Sequence, residues 1–450
     1  MSSQAGLASR PSAGERHVTR DRALLAAGSA VALAAAAAYL ADLATHPVTS
    51  LLKGFDLQVY LGGAGQALRH PDTLYTWIYD GHPGIQFTYT PFAALLFTAG
   101  RVVPFRLLMG LDALVSSFAL LATLWIAFRE LGWRPAARAG GMLLLGGLTF
   151  WSEPVQRGIF LGQVELVLMA LVVWDMCQPD RRWWKGAATG VAAGIKLVPL
   201  LFIAYLIITR RFRQAFVALA AFAATVAIGF AVLPRPSATW WLDGDFFEAS
   251  RTGFVGDGQN QSLCGLLTRL VGSVAAGQGP WLASAVVIGA AGLACAAVLH
   301  VRGCTFAGLM ACALTALLVS PISWDHHWVW IAPGLALVID AGVRAGRRPR
   351  TCWYALAGAV LVVYGAWPDF WSARAGLLEG GLIDYAPVSA FAHGDNPAYA
   401  EYHWHGLQLV AGNLYVLGGL ALLLVLLVAT FRIARTRPAD SVTPGTVPPR

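Results

Sequence analysis

Charge is scarce in this chain. Asp, Glu, Lys and Arg supply 12% of its 450 residues against 57% apolar residues, about half the charged share of an ordinary soluble domain. That shortage excludes a solvated globular fold of this length. Long polar intervals are missing too: the widest gaps between apolar runs, about residues 46–86, 234–280 and 368–408, are too short for an independent soluble domain. The six cysteines fall mostly in or beside apolar runs, without paired or metal-ligand spacing, which excludes a disulfide framework and a zinc site. Gly-rich phosphate loops are absent, so nothing marks a nucleotide site. An internal repeat is absent as well, which argues against a transporter or flippase of lipid-linked sugars.

What is present is a series of apolar runs of about 20 residues, the length that spans a bilayer as a helix. The sequence therefore predicts an all-α polytopic membrane protein, resident in the cell membrane. Its net charge of +8 calls for no nucleic-acid partner, because the arginines cluster in short loops between runs, as cytoplasmic loops do. Placing those loops inside predicts a cytoplasmic tail over residues 1–22, an integral-membrane domain over 23–432 and a disordered cytoplasmic tail over 433–450, with both termini inside. About twelve crossings satisfy the charges if Phe87 to Val103 dips in and returns. Gly186 to Thr209 must then be two short helices meeting at Lys196-Leu197-Val198-Pro199, where the proline interrupts the helix.

With that topology the unusual polar groups gather at the extracytoplasmic face. Asp56 follows the first span; Glu153, Gln156, Arg157 and Gln163 lie between the third and fourth; Lys196 sits at the broken hairpin. Asn260 and Gln261 precede the eighth, and His326 and His327 precede the tenth. Taken singly, each has a plainer role: a helix cap for Asp56, snorkelling for Lys196, loop support for Asn260-Gln261, an interfacial belt for the histidines beside Trp324. A later group, His393, Asp395, Glu401, His403 and His405, is expected to form an ordered lid sooner than a metal site. Together, the first set suits group transfer from a lipid-linked donor: a carboxylate takes a proton from an acceptor hydroxyl, and Lys, Arg or His neutralises a departing phosphate.

Six runs carry a resemblance. They are Phe55-Asp56-Leu57-Gln58-Val59-Tyr60, Phe87-Thr88-Tyr89-Thr90-Pro91-Phe92, Leu161-Gly162-Gln163-Val164, Gly194-Ile195-Lys196-Leu197-Val198-Pro199, Asn260-Gln261-Ser262-Leu263 and Ser320-Pro321-Ile322-Ser323-Trp324-Asp325-His326-His327. In this order the chain resembles the polyprenyl-phosphate-mannose-dependent α-(1→2)-mannosyltransferases of glycosyltransferase family 87, a branch of the GT-C superfamily. The resemblance implies a GT-C-type helical bundle and an inverting transfer of mannose from a β-linked polyprenyl phosphate to a cell-envelope glycolipid or glycan. A polyprenyl-phosphate arabinofuranose donor is the neighbouring alternative. By this likeness Asp56 is the general base and His326 and His327 lie by the donor phosphate or the base, while Lys196, Asn260, Gln261, Gln163, Tyr60 and Trp324 line the substrate pocket. No cofactor and no metal are implied. One departure is Glu165, where family members often carry Asn.

Overall fold

A computed structural model describes residues 13–45, 52–79, 85–365 and 399–435. Most of the expected lid, including His393 and Asp395, and the C-terminal tail lie outside the described residues. Among the described residues the chain is helical, with no β-strand beyond two isolated bridges.

The first half runs α1 (Ala13–Thr45), α2 (Phe55–Arg69), α3 (Pro91–Phe97), α4 (Phe105–Glu130), α5 (Pro135–Phe150), α6 (Glu153–Leu161), α7 (Glu165–Met176), α8 (Ala187–Ile195) and α9 (Leu200–Ile208). There follow α10 (Phe212–Val232), α11 (Pro234–Trp241), α12 (Leu263–Val271), α13 (Val274–Val301), α14 (Thr305–Val319), α15 (Ile331–Arg344), α16 (Arg347–Gly365), α17 (Leu407–Ala411) and α18 (Leu414–Arg435). Four of these, α1 from Val18 onward, α4, α10 and α13, are long and apolar enough to cross a membrane. Their outward faces carry Leu33, Phe118, Phe216 and Val286, each at least 70% exposed. Apolar faces of that kind are stable against lipid, and the chain is a multi-pass membrane protein.

Two breaks expected from the sequence are present. The segment after Phe87 forms only the seven residues of α3 and a 3₁₀ turn, Thr98–Val102, too short to cross hydrocarbon about 30 Å thick. Thr90 starts it as an N-cap, its hydroxyl accepting from the Ala93 amide, and Pro91 takes the first helical position, where a missing N–H costs nothing. The second break lies between α8 and α9, where Lys196 is extended and Pro199 starts the next helix. A third was not anticipated: α6 and α7 meet at 116°, hinged on Gly162, whose φ of 74° is a left-handed C-cap that favours glycine.

The interior has two parts. The larger core is shared by α4, α7, α9, α14, α15 and α18, with Trp328 fully enclosed. A smaller core gathers Leu57, Tyr60, Tyr75, Phe87, Tyr89 and Trp240 beneath α2 and α3. Between them lies a cavity of about 880 Å³.

Candidate active site

Asp56 reaches the cavity from the first turn of α2, where the helix N-terminus favours a negative charge. Gly54 sets its position: with φ 60° it donates its amide to the Phe160 carbonyl at 2.8 Å, tying α2 to α6. Gln163, just beyond the α6–α7 hinge, donates from Nε2 to Asp56 Oδ2. The amide is oriented by what its other end receives. Gln163 Oε1 accepts from Tyr60 Oη at 2.7 Å and Tyr89 Oη at 3.2 Å, which leaves the NH₂ for the carboxylate.

Lys196, freed from helix by the α8–α9 break, continues this network. Its ammonium donates to Tyr89 Oη at 3.3 Å, pairs with Glu165, and lies 3.0 Å from His327 Nε2. Asp56 and Lys196 are thus joined through Gln163 and Tyr89 on one wall of the cavity. The cavity lining also includes the apolar side chains of Leu200, Leu201, Trp281, Ala316 and Val319.

The two histidines stand on a 3₁₀ turn, Asp325–Trp330, held from behind. Residues 259–261 pair with 323–325: the Gln261 amide donates to the Ser323 carbonyl at 2.8 Å and the Asp325 amide to the Gln259 carbonyl at 2.9 Å. Asn260 locks the pairing, its Oδ1 accepting from the Ser323 amide while Nδ2 donates to the Val255 and Pro321 carbonyls. Gln261 binds Gly258, Gly412 and the Tyr415 amide. Both side chains are fully buried and neither lines the cavity. The expected pocket-lining role does not suit them; buried amides must satisfy every donor and acceptor, and these two do so on backbone. Asp56, Tyr60, Gln163, Lys196, Trp324, His326 and His327 do line it.

Charge within the site is set by enclosure. Burial pushes the Asp56 carboxyl above the usual carboxylate range, partly offset by His326 and the Gln163 hydrogen bond. Burial, the Lys196 ammonium and His326 hold His327 well below the ordinary imidazole value, so it is neutral and can accept from Lys196. Burial also opposes ionisation of Asp325, but the His326 hydrogen bond and the Arg157 charge outweigh it and keep the group below its ordinary value. Glu165, His326 and His327 bring one ligand atom each to within 4.8 Å of one another, a spacing open to a metal ion. Lys196 already contacts two of the three, so the cation these groups face is the ammonium, and we assign no metal to them.

Several residues of the site were not singled out from the sequence. Tyr89 and Asp325 sat inside quoted runs without a role. Glu165 was noted as a departure only, and Tyr415 lies in an apolar last span that offers no signal.

The model of glycosyltransferase family 87 matches residues 87–321. A polyprenol-phosphate-mannose-dependent α-(1-2)-phosphatidylinositol pentamannoside mannosyltransferase of Mycobacterium tuberculosis (strain CDC 1551 / Oshkosh) is 33% identical over 394 residues, covering 85% of this chain and 83% of the relative. The Mycolicibacterium smegmatis protein of the same description is 32% identical, covering 85% and 88%. A phosphatidylinositol mannoside mannosyltransferase of M. tuberculosis (strain ATCC 25618 / H37Rv) is 32% identical over 62% of this chain and 67% of its own. No solved structure matches. The chain belongs to glycosyltransferase family 87.

Proposed function

We propose that the protein transfers mannose from a polyprenyl-phosphate donor to a hydroxyl of a cell-envelope glycolipid or glycan, with inversion and formation of an α-(1→2) linkage. The observation that carries this reading is the joining of Asp56 to Lys196 across one cavity wall, in a lining that also includes apolar side chains. A prenyl chain suits Leu200, Leu201 and Val319, and its phosphate then lies against Lys196. The acceptor oxygen attacks the anomeric carbon, its proton passes to Asp56, and the carbon–oxygen bond to phosphate breaks with the electron pair leaving on the phosphate. Lys196 offsets that charge. No cofactor is called for, because the phosphate ester is itself the activated leaving group.

The reading takes about twelve crossings, counting the short helices that end at the cavity, with both termini in the cytoplasm and the cavity at the outer face, as the basic short loops call for. The names of the relatives support mannose as the sugar and a lipid-anchored mannoside as acceptor.

Membranes carrying the protein are expected to move label from polyprenyl-phosphate mannose into glycolipid, and Asp56→Asn is expected to lower turnover about 10²- to 10⁴-fold while the protein stays folded. Transfer from a nucleotide sugar alone, or from a polyprenyl-phosphate pentose alone, would overturn the reading, as would normal turnover by the variant.

A further inference from the structure

His326 lines the same cavity as Asp56, and its ring is held by the carboxylate that precedes it in the chain. Nδ1 lies 3.0 Å from Asp325 Oδ1, which also accepts the His326 amide at 2.6 Å. Since Asp325 is held ionised, Nδ1 carries the proton and donates. Nε2 is buried and has no hydrogen-bond partner among the described residues. It is thus left for whatever enters the cavity.

Asp325 is itself fully buried and its second oxygen receives no N–H or hydroxyl donor. The neighbouring group is another buried carboxyl, Glu153 of α6, the helix packed against the histidine turn. Two carboxylates cannot share a dry site fully ionised. One proton shared between them satisfies both, and with Asp325 the more readily ionised of the two it belongs on Glu153. Glu153 Oε2 in turn accepts from Tyr415 Oη at 2.9 Å, the shorter of that hydroxyl's two contacts, the Tyr364 carbonyl lying at 3.3 Å, and Gln261 fixes Tyr415 by accepting its amide at 3.0 Å.

We infer that Tyr415, Glu153 and Asp325 form a buried hydrogen-bonded string that positions His326, holding its Nδ1 protonated and its Nε2 toward the reacting groups. The string rests on the glycosyl-transfer reading and deepens it. Its donor-to-acceptor order runs Tyr415 to Glu153 to Asp325, with His326 donating to the same carboxylate from the cavity side. Among the described residues, the charged groups that share the cavity or the cluster with this histidine belong to the site already described: Asp56 from α2, Arg157 from α6, Glu165 from α7, with Lys196 and His327 adjoining. Tyr415 and Glu153 touch no substrate here; they act through Asp325 and are positioning residues. The last helix, silent in the sequence, thereby becomes part of the active site.

The test compares Glu153→Gln with Glu153→Leu in the full-length protein in detergent or vesicles. Glutamine still accepts from Tyr415 and still donates to Asp325, so it is expected to keep kcat within about threefold of wild type. Leucine cannot donate and is expected to lower kcat about 10²-fold, the worth of one positioned acid–base group, with KM within about twofold and a cooperative melt retained. In ¹⁵N-histidine spectra, the Nδ1-protonated signal that disappears in His326→Gln should persist in Glu153→Gln and change in Glu153→Leu. Equal loss in both variants, or an unchanged His326 signal in the leucine variant, would mean that Glu153 only fills space. Should Glu153→Leu not fold, Tyr415→Phe supplies the same comparison: a fall in kcat with unchanged KM supports the string, and unchanged kcat refutes it. Wild-type protein that transfers nothing from the lipid-linked donor would refute the functional reading instead, and the spectra would still decide the string.

Discussion

Asp56 carries opposing demands. Its carboxyl is shifted up by burial, so the folded state holds a proton there more tightly than the unfolded chain does. A raised pKa favours the fold below the unfolded value and forfeits that advantage as pH rises through the folded value. Asp56→Asn should therefore raise the thermal midpoint at neutral pH, and the gain should shrink as the pH is lowered and Asp56 takes up its proton. The same shift acts on turnover in the proposed mechanism, where Asp56 must be ionised to take the acceptor's proton: the acid limb of kcat/KM is expected above the ordinary carboxylate range. A melt series and a pH–rate profile check both signs. Lys196 and Glu165 give a second residue-scale case. Lys196→Met strands a buried carboxylate and should cost about 3 kcal/mol, whereas Lys196→Met with Glu165→Leu should recover most of the stability and none of the activity. Denaturation curves of the single and double variants, set beside transfer assays, test it. Asp56, Lys196 and the histidine pair were legible in the sequence because charge is so rare among apolar runs that each polar group stands out. Asn260 and Gln261 stood out for the same reason, yet composition cannot tell an amide that meets substrate from one consumed by backbone.

At the scale of elements, the site depends on broken helices. The α8–α9 break was readable from Pro199 and the basic ends around it; the α6–α7 hinge was not, because Gly162 is one of 48 glycines and only its φ of 74° marks it. A Cβ at Gly162 would lie 2.7 Å from Leu57 Cβ, the neighbour of Asp56, and the hinge itself precedes Gln163. Gly162→Ala combines a left-handed alanine, about 1 kcal/mol, with an overlap of about 1–3 kcal/mol. It should separate Gln163 from Asp56 before it unfolds the protein. The expected outcome is a melt lowered by a few degrees with transfer reduced at least tenfold; unimpaired transfer would show that the hinge does not set the Asp56–Gln163 contact. Tyr415 was illegible for a related reason. Its partner Glu153 lies 262 residues away, and no local pattern reports a contact across such a separation.

For the whole molecule, charge bias predicts about twelve crossings, yet among the described residues four helices have the length and hydropathy of full spans. The two counts are compatible if the helices that end at the cavity stop within the bilayer. The 14-residue α15 runs from the histidine turn to Arg344, about 21 Å at 1.5 Å per residue, and the 15-residue α14 climbs a similar distance to Ser320 on the other side of that turn. Both fall short of about 30 Å of hydrocarbon. In the proposed topology this sets the reaction level just below the outer surface, where a donor tethered by its lipid can bring its phosphate down to Lys196 while its prenyl chain stays in the bilayer. The proposed topology puts two exposed positions on opposite sides: Phe247, 78% exposed and lining the cavity, and Arg348, exposed in the first turn of α16. In a background with the exposed Cys304 and Cys352 changed to serine, a membrane-impermeant thiol reagent applied to whole cells should label Phe247→Cys and spare Arg348→Cys until the cells are opened. The reverse pattern would put Asp56 and Lys196 in the cytoplasm and overturn the topology, while labelling of both would mean that the basic loop before α16 is not retained inside by its charge.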